Sequence, residues 1–559
     1  MTKQWPEPEI AMRQGQHPSE SMFPPPPPDY SAAEEDGMLI ERNVAVTLSR
    51  GIRMYVDIYR PAGEAGQTDL PVILAWSPYG KHRTSDKFRY AGSGIEDGWM
   101  SRHTGFEAPD PAYWCGAGYA VVYADPPGIL YSEGEMHHGG PEETRDACEL
   151  IEWLGTREWS NGKVGMSGVS YLACIQWQVA AQHPPHLAAI NPWEGFTDWY
   201  REFGYHGGMR DTSFIPRATS FINFSTTRTE DTNTNMQAHP LYDAYWASKD
   251  VDLAAITVPA YVVGSWSDHG LHSRGTLEGY RTISSPQKWL DVHGRKKWGY
   301  YYDPANVARL RQFFDHFLKG IGSGVTLPKV RLELRERGNV GRAFNENEWP
   351  LKRTSFVPLH LDAATGKLDD KVPPTKAQTS YDATDAAECA VFDHVFNHAT
   401  ELTGHMKLRL WVEIDQGSDA DLFVAIEKLD KDGNLVPFPW YALFDHGPVA
   451  LGWLRASHRA LDPERSRPEQ PFHTHLTEEP LQPGVPVPVD IEIWPSSTAF
   501  AAGETLRVVI KGSDIYDTTE QMVPMVRHQE SRNAGRHIIH TGGQYDSHLL
   551  VPVIPNSGA

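Results

Sequence analysis

The sequence predicts an α/β unit built on a mostly parallel sheet, interrupted by an inserted helical cap and followed by an all-β jelly-roll domain. Three observations carry this reading. Short, almost wholly apolar runs ending in turns rich in Pro or Gly, such as PVILAW from Pro71 and YAVVYAD from Tyr119, have the character of strands covered on both faces. These runs alternate with amphipathic helical stretches as far as about residue 326, the order expected of a parallel sheet with crossover helices. Beyond about Leu327 the texture changes to short alternating strands separated by turns, as in KVRLELRE, DLFVAIEKL and ETLRVVIKG.

Residues 1–36 form a Pro-rich tail, whose FPPPPPDY stretch from Phe23 reads as a stiff segment lying over the surface. Apolar residues then alternate from Val44 to Ile58 around Ser49-Arg50-Gly51, which is a hairpin pattern. In EETRDACELIEWLG, Ala147, Leu150, Ile151 and Leu154 share one helical face and Gly155 can close the helix. A second helix starts near Tyr171 and runs to about His183. Strands follow at HLAAIN from His186, VPAYVVGSW from Val258 and QKWLDVHG from Gln287, and a long helix opens at Pro304 with Asp303 as N-cap and Gly320 at its end. The interval 192–256 breaks this alternation, being aromatic-rich and then polar, and reads as a cap inserted over the carboxyl edge of the sheet. The expected organisation is an α/β unit over 37–191 and 257–326, the cap over 192–256, and the sandwich over 327–559.

A chain of 559 residues with net charge −21 is repelled by nucleic acid and by anionic membrane surfaces, so neither is expected as a partner. Its 18 Trp and 23 Tyr suit sites that hold apolar or ring-bearing small molecules. Cys115, Cys148, Cys174 and Cys389 show no metal-ligand or disulfide spacing and read as buried thiols. The N-terminus has no apolar signal-like region and no run of 18 apolar residues follows, so a cytoplasmic location is expected. His137 and His138 are adjacent and read as surface loop residues; neither a metal nor a cofactor is expected. A homo-oligomer is compatible with the sequence.

Chemistry concentrates in GKVGMSGVSYLACIQW, from Gly162 to Trp177. The residues up to Gly168 read as a buried strand and those from Tyr171 as helix, so Ser170 falls at the junction, where a nucleophile elbow exposes its Oγ. The strict G-x-S-x-G pattern fails for both serines, because Val169 follows Ser167 and Leu172 follows Ser170 at the required spacing; a small residue returns one place late, at Ala173. Ser167 reads as a small strand residue packed beneath the turn. A serine nucleophile needs a histidine base and a carboxylate to orient it, in the order Ser, Asp, His along α/β-hydrolase chains. Asp268 and His293 each closely follow an apolar strand, which gives the expected triad Ser170, Asp268 and His293, with His269 and Asp291 nearby as alternatives.

With these motifs the chain resembles the CocE/NonD-type hydrolases, the superfamily of X-prolyl dipeptidyl-peptidases, cocaine esterase and α-amino-acid ester hydrolases, which are α/β-hydrolases carrying a C-terminal jelly roll. The resemblance runs through WSPYGK at Trp76, GYAVVYADPPG at Gly118, EWSNGKVGMSGVSYLA at Glu158, the Asp268 and His293 loops, TGHMKLRLWVEIDQGSDADLFVAIEKLD and the closing SHLLVPVIP. It implies Ser170 as nucleophile on a GxSYxG pattern, which accounts for Leu172 followed by Ala173. It also implies that Tyr79 donates its hydroxyl to an oxyanion beside the backbone N–H of Tyr171. Two stretches depart from the family pattern: DPPGILYSEGE has Pro127 and Leu130 where an arginine and a glycine are usual, and no acidic cluster for an α-amino group follows Asp268. The expected activity is hydrolysis of a carboxylic ester or amide through an acyl-serine intermediate. An X-prolyl-type dipeptidyl peptidase or amide acylase would use the same triad, and a non-catalytic ligand- or carbohydrate-binding protein is the contrasting class. Trp193, Phe196, Trp199 and Tyr200 of the cap, with Trp266 and His269, either line a substrate pocket or form cap core.

Overall fold

The computed structural model describes residues 5–21, 24–66, 68–82, 90–516 and 525–555; Phe23 of the polyproline stretch lies outside them. The first sheet consists of β1 (Ser31–Glu35), β2 (Met38–Thr47), β3 (Arg53–Pro61), β4 (Leu70–Trp76), β5 (Ala120–Asp125), β6 (Ser160–Val169), β7 (Leu187–Trp193), β8 (Ala260–Ser265), β9 (Lys288–His293), β10 (Val330–Arg337) and β11 (Val340–Glu346). Their spatial order is β1-β2-β3-β5-β4-β6-β7-β8-β9-β10-β11, parallel from β5 to β10 and antiparallel at both ends. The continuous apolar runs are central strands: every residue of β4 and β5 is buried.

Helices cover both faces, as a parallel sheet requires. On one face, α1 (Pro141–Gly155) and α2 (Tyr171–Ala181) pack Leu150, Ile151, Ile175 and Val179 onto Leu74 and Val164. On the other, α5 (Pro304–Lys319) lays Phe313, Phe314 and Leu318 against Ile73 and Val121. Its ends follow the sequence signals: Asp303 accepts the Ala305 N–H at 2.7 Å, and Gly320 takes the left-handed conformation at φ 71°. Between β8 and β9 lies α3 (Ser273–Thr282), and α4 (Lys297–Tyr302) follows β9.

The all-β unit has two groups of strands. In one, Thr400–Ile414 pairs antiparallel with Val487–Phe500, Arg536–Thr541 and His548–Ile554; in the other, Thr505–Lys511 pairs antiparallel with Ala390–Val395 and Asp421–Leu429. Leu408, Leu410, Ile491, Ile493, Val508 and Ile510 form the core between them. The strand Val330–Arg337, expected to open the sandwich, has a double allegiance. It pairs parallel with β9, through Leu290↔Val330, and also with Val487–Phe500, in register at Arg335↔Thr498. The two units therefore share a continuous ladder rather than a linker.

The interval 192–256 is mixed. It holds a wide helical turn over Trp199–Gly204, the helices Phe214–Phe221 and Thr232–Ala238, and short strands that the sequence did not suggest. One of these, Arg228–Glu230, pairs antiparallel with Met12–Gln14, so the N-terminal residues are stitched onto this interval. Arg274 of α3 then joins the interval 192–256 to the all-β unit, binding Glu202 through Nη1 at 2.5 Å and Glu492 through Nε at 3.0 Å.

Two surface expectations are corrected. Cys389 is exposed and Cys148 half-buried, whereas Cys115 and Cys174 are buried. His138 is buried rather than in a surface loop: its backbone N–H donates to Glu230 at 2.9 Å and its Nδ1 meets the Thr232 hydroxyl at 2.6 Å. Among the described residues no helix is long and apolar enough to cross a membrane.

Candidate active site

The carboxyl ends of the parallel strands β4, β6, β7, β8 and β9 lie on one edge of the sheet. Ser170 stands there in the turn between β6 and α2. Its backbone, at φ 62° and ψ −119°, lies in a region that L-residues rarely occupy. Packing holds that strain in place: the Ser170 N–H donates to the Trp193 carbonyl at 3.1 Å, and the Ala173 and Cys174 N–H groups close onto the Ser170 carbonyl at 2.9 and 3.0 Å. Gly168 is required just before it, since a Cβ there would stand 2.5 Å from Leu172 Cβ. Ala173 must be small for a related reason, because the chain at Gly195 passes so close that a Cβ on Gly195 would lie 2.7 Å from Ala173 Cβ. Ser170 is half-buried and Ser167 is fully buried, its hydroxyl tied to Asn191 at 2.9 Å and to the Tyr301 hydroxyl at 3.1 Å.

Ser170 Oγ lies 3.2 Å from Nε2 of His272, and His272 Nδ1 lies 2.5 Å from Asp268 Oδ2. The partner of Ser170 is therefore His272, not the expected His293. The reason is register. His293 is the last residue of β9 and sits level with Ser265 of β8, three places before Asp268, so it stays within the sheet. There its ring stacks on Tyr300 with centroids 3.7 Å apart, and its Nε2 meets Glu194 Oε1 at 3.1 Å. His272 reaches the edge because the chain turns back at once after Asp268. The His272 and Ser273 N–H groups both donate to the Asp268 carbonyl at 3.2 Å, and Gly270 passes through φ 99° where a Cβ would lie 2.7 Å from the Tyr441 hydroxyl. A five-residue turn thus brings Asp268 and His272 face to face. Asp-x-x-x-His ahead of the α3 pattern was the available sequence signal.

Lys297, from α4, completes the group. Its Nζ donates to Asp268 Oδ2 at 3.0 Å and lies 3.3 Å from His272 Nδ1. Burial opposes the charge of Asp268, but the Lys297 ammonium and the His272 ring outweigh it and hold the carboxyl well below the usual range. Burial also lowers His272 to about 4, with Asp268 pulling upward and Lys297 pushing further down. Lys297 itself stays charged: burial disfavours the ammonium, and the carboxylate facing it, Asp268, leads the pull that overcomes it. Glu107, pushed up to about 7 by burial against the pull of Lys297, is hydrogen-bonded by Trp298 Nε1 at 2.8 Å and by the Tyr79 side chain. Its carbonyl accepts the Val169 N–H at 3.0 Å, which places Tyr79 and Glu107 beside the elbow. Tyr171 opens α2, so its N–H has no partner within the helix, and its hydroxyl is anchored on Glu143 at 2.8 Å.

The six aromatic and histidine candidates separate. Phe196 lies parallel to the His272 ring at 6.1 Å and Trp199 meets Tyr171 edge-on at 6.3 Å, so these two adjoin the site. Trp193 is packed on Tyr301 at 5.0 Å, and Tyr200 is fixed by its hydroxyl to the Pro240 carbonyl at 2.8 Å. Trp266 is locked through Nε1 to the Glu333 carbonyl at 2.8 Å. His269 accepts the Leu451 N–H at 3.3 Å and borders a cavity of about 20 Å³ with Trp440, Tyr441 and Trp453. Trp193, Tyr200 and Trp266 are core, buried to 1% exposure or less.

A parallel sheet with a strained serine after its central strand, hydrogen-bonded to a histidine, is the arrangement of serine hydrolases. The comparisons agree. Residues 50–222 match the X-Pro dipeptidyl-peptidase (S15 family) model, and residues 323–550 match the X-Pro dipeptidyl-peptidase C-terminal non-catalytic domain. A CocE/NonD family hydrolase from Staphylococcus aureus is 38% identical in sequence, with a TM-score of 0.90 over 97% of this chain and 99% of that one. Cocaine esterase from Rhodococcus sp. (strain MB1 Bresler) is 23% identical over 92% of this chain and 98% of its own. A Xaa-Pro dipeptidyl-peptidase from Lacticaseibacillus rhamnosus is 37% identical over 54% of this chain and 42% of its own. This chain belongs to the CocE/NonD hydrolase family.

Proposed function

We propose that the chain hydrolyses a carboxylic ester through an acyl-serine intermediate, with Ser170 as nucleophile, His272 as base and Asp268 as the carboxylate that orients it. The observation that carries this is the unbroken hydrogen-bonded chain from Ser170 Oγ through His272 to Asp268 at a strained elbow. His272 Nε2 takes the Ser170 proton as Oγ attacks the carbonyl carbon, and the Nδ1–H bond to Asp268 fixes the tautomer that leaves Nε2 free to accept. The Tyr171 N–H and the Tyr79 hydroxyl are the proposed oxyanion donors. Protonated His272 then passes its proton to the leaving alkoxide, and water attacks the acyl-serine with His272 again as base. Strand order and crossover helices support reading the sheet as an α/β-hydrolase sheet, and the paired strand groups support a jelly roll for the all-β unit.

A dipeptidyl peptidase on the same triad is the second reading, favoured by the local 37% identity to a Xaa-Pro dipeptidyl-peptidase. Two things favour the ester. The esterase relative is matched over nearly its whole length, the peptidase over less than half. In addition, Glu107 and Glu194, the acidic groups beside the triad, already hold Trp298, Tyr79 and His293, so a peptide ammonium would have to displace those bonds. The test is labelling with a fluorophosphonate followed by peptide mass, with an aryl ester and an X-Pro anilide compared as substrates. Labelling at Ser170 with faster ester turnover is expected. A faster anilide would favour the peptidase, and a protein that resists labelling would favour a binding function.

A further inference from the structure

Behind the triad lies a second carboxyl group, with chemistry of its own. Glu194 follows directly on the end of β7, is 1% exposed, and its carboxyl group faces that of Asp268, whose charge acts on it. Asp268 Oδ2 is occupied by His272 and Lys297, and Glu194 Oε1 is occupied by His293. Among the described residues, Asp268 Oδ1 and Glu194 Oε2 are buried and receive no N–H or hydroxyl donor. Two ionised carboxylates offer only acceptors, so they can bond to each other only if one carries a proton.

The neighbours decide which one does. Asp268 accepts from an imidazole N–H and from an ammonium, both of which favour its anion. Glu194 receives one neutral donor. The Arg295 backbone N–H donates to His293 Nδ1 at 3.1 Å, so Nδ1 carries no proton, and the ring proton sits on Nε2, pointing at Glu194. Burial keeps His293 neutral, lowering it to about 3, and burial with the Asp268 charge raises Glu194 well above the usual carboxyl range, against Lys297. The charged and titratable groups facing Glu194 are thus Asp268 from the β8 loop, Lys297 from α4 and His293 from β9.

We infer that Glu194 is a neutral carboxylic acid whose O–H donates to Asp268 Oδ1, making it a positioning residue for the triad. The bond fixes rotation of the Asp268 carboxylate so that Oδ2 stays aimed at His272 Nδ1. It also occupies the one oxygen of Asp268 that could otherwise swing toward His272 and misalign the imidazole. This rests on the triad proposed above and extends it.

Glu194→Gln keeps both bonds, with an amide N–H toward Asp268 and an amide oxygen toward His293, while Glu194→Leu keeps neither. Replacing a partner behind a functional group typically costs about 10- to 100-fold. The expected result is a kcat loss of that size in Glu194→Leu with KM little changed, and recovery of most of kcat in Glu194→Gln. The infrared spectrum of the wild type at neutral pH should contain a protonated-carboxyl C=O band that is missing in Glu194→Gln. Gln as damaging as Leu, a Leu variant with full kcat, or an unchanged infrared band would each overturn the inference. The infrared measurement needs neither activity nor the Leu variant's folding. His272→Ala in the same assay keeps the two ideas apart: if it stays active the triad fails, whereas the Glu194 band stands or falls independently.

Discussion

Two strand-end loops compete for the same role in this protein, and they differ in what happens immediately after the strand. After β9, His293 is still inside the ladder, paired with Ser265 and covered by Tyr300. After β8, the chain runs three residues past that level, turns at Gly270 and returns His272 to Ser170. Both histidines follow the serine and the aspartate in sequence, so order alone does not separate them. What separates them is height above the sheet. A base needs to project beyond the edge where the elbow presents its hydroxyl, whereas a histidine within the ladder serves as a neutral, stacked packing group with one N–H to spend.

The sharpest way to break this comparison is to remove each histidine in turn. His272→Ala should lower kcat/KM by about 10⁴-fold or more, on the scale of losing a triad member. His293→Ala should cost no more than about 10- to 100-fold, the range for a group that acts through another. Parallel kcat/KM assays on an activated ester check both, and the opposite ranking would return the base to His293. His293→Ala should also cost about 2–4 kcal/mol of stability through the cavity left under Tyr300, read by denaturant unfolding.

Lys297→Met sharpens the contrast by removing a charge that acts directly on His272 and not on His293. The base is active when neutral, so kcat/KM falls as pH drops through the His272 pKa, which lies at about 4. Lys297 pushes that value down; without it the acid limb should move to higher pH, with kcat about 10-fold lower as Asp268 loses a donor. A pH profile with an unmoved acid limb would count against His272 as the titrating base. The smallest effect is expected of Ser167→Ala, which should leave kcat/KM unchanged and cost about 1 kcal/mol for the lost bonds to Asn191 and Tyr301.

The parts of the fold legible in sequence were those written in local pattern. The apolar runs of β4 and β5 and the Asp303 and Gly320 ends of α5 each depend on a few neighbouring residues, as does Ser170 at the strand-helix junction. What escaped depends on register or on distant packing. His293 looked free because a strand's last residue and the first residue of its loop are indistinguishable without its neighbour. Val330–Arg337 has the alternation of a sandwich strand, yet its position is set by pairing with β9. The burial of His138 is decided by Glu230 and Thr232, about ninety residues away, and Trp193, Tyr200 and Trp266 likewise pack on partners distant in sequence, Tyr301, Pro240 and Glu333. The late small residue at Ala173 was visible, but its cause, the close passage of Gly195, was not.

The turn from Asp268 to His272 has one more consequence. In a triad assembled from three separate loops, every relative shift of the supporting strands changes two of the contacts that proton transfer relies on. Here the acid-base couple is closed within a single local ring of backbone, so motions between β8 and β9 leave its spacing untouched and only the distance to Ser170 remains to vary. The same economy makes the segment brittle: one inserted or deleted residue between Asp268 and His272 would disconnect the couple entirely, while the rest of the sheet remained intact.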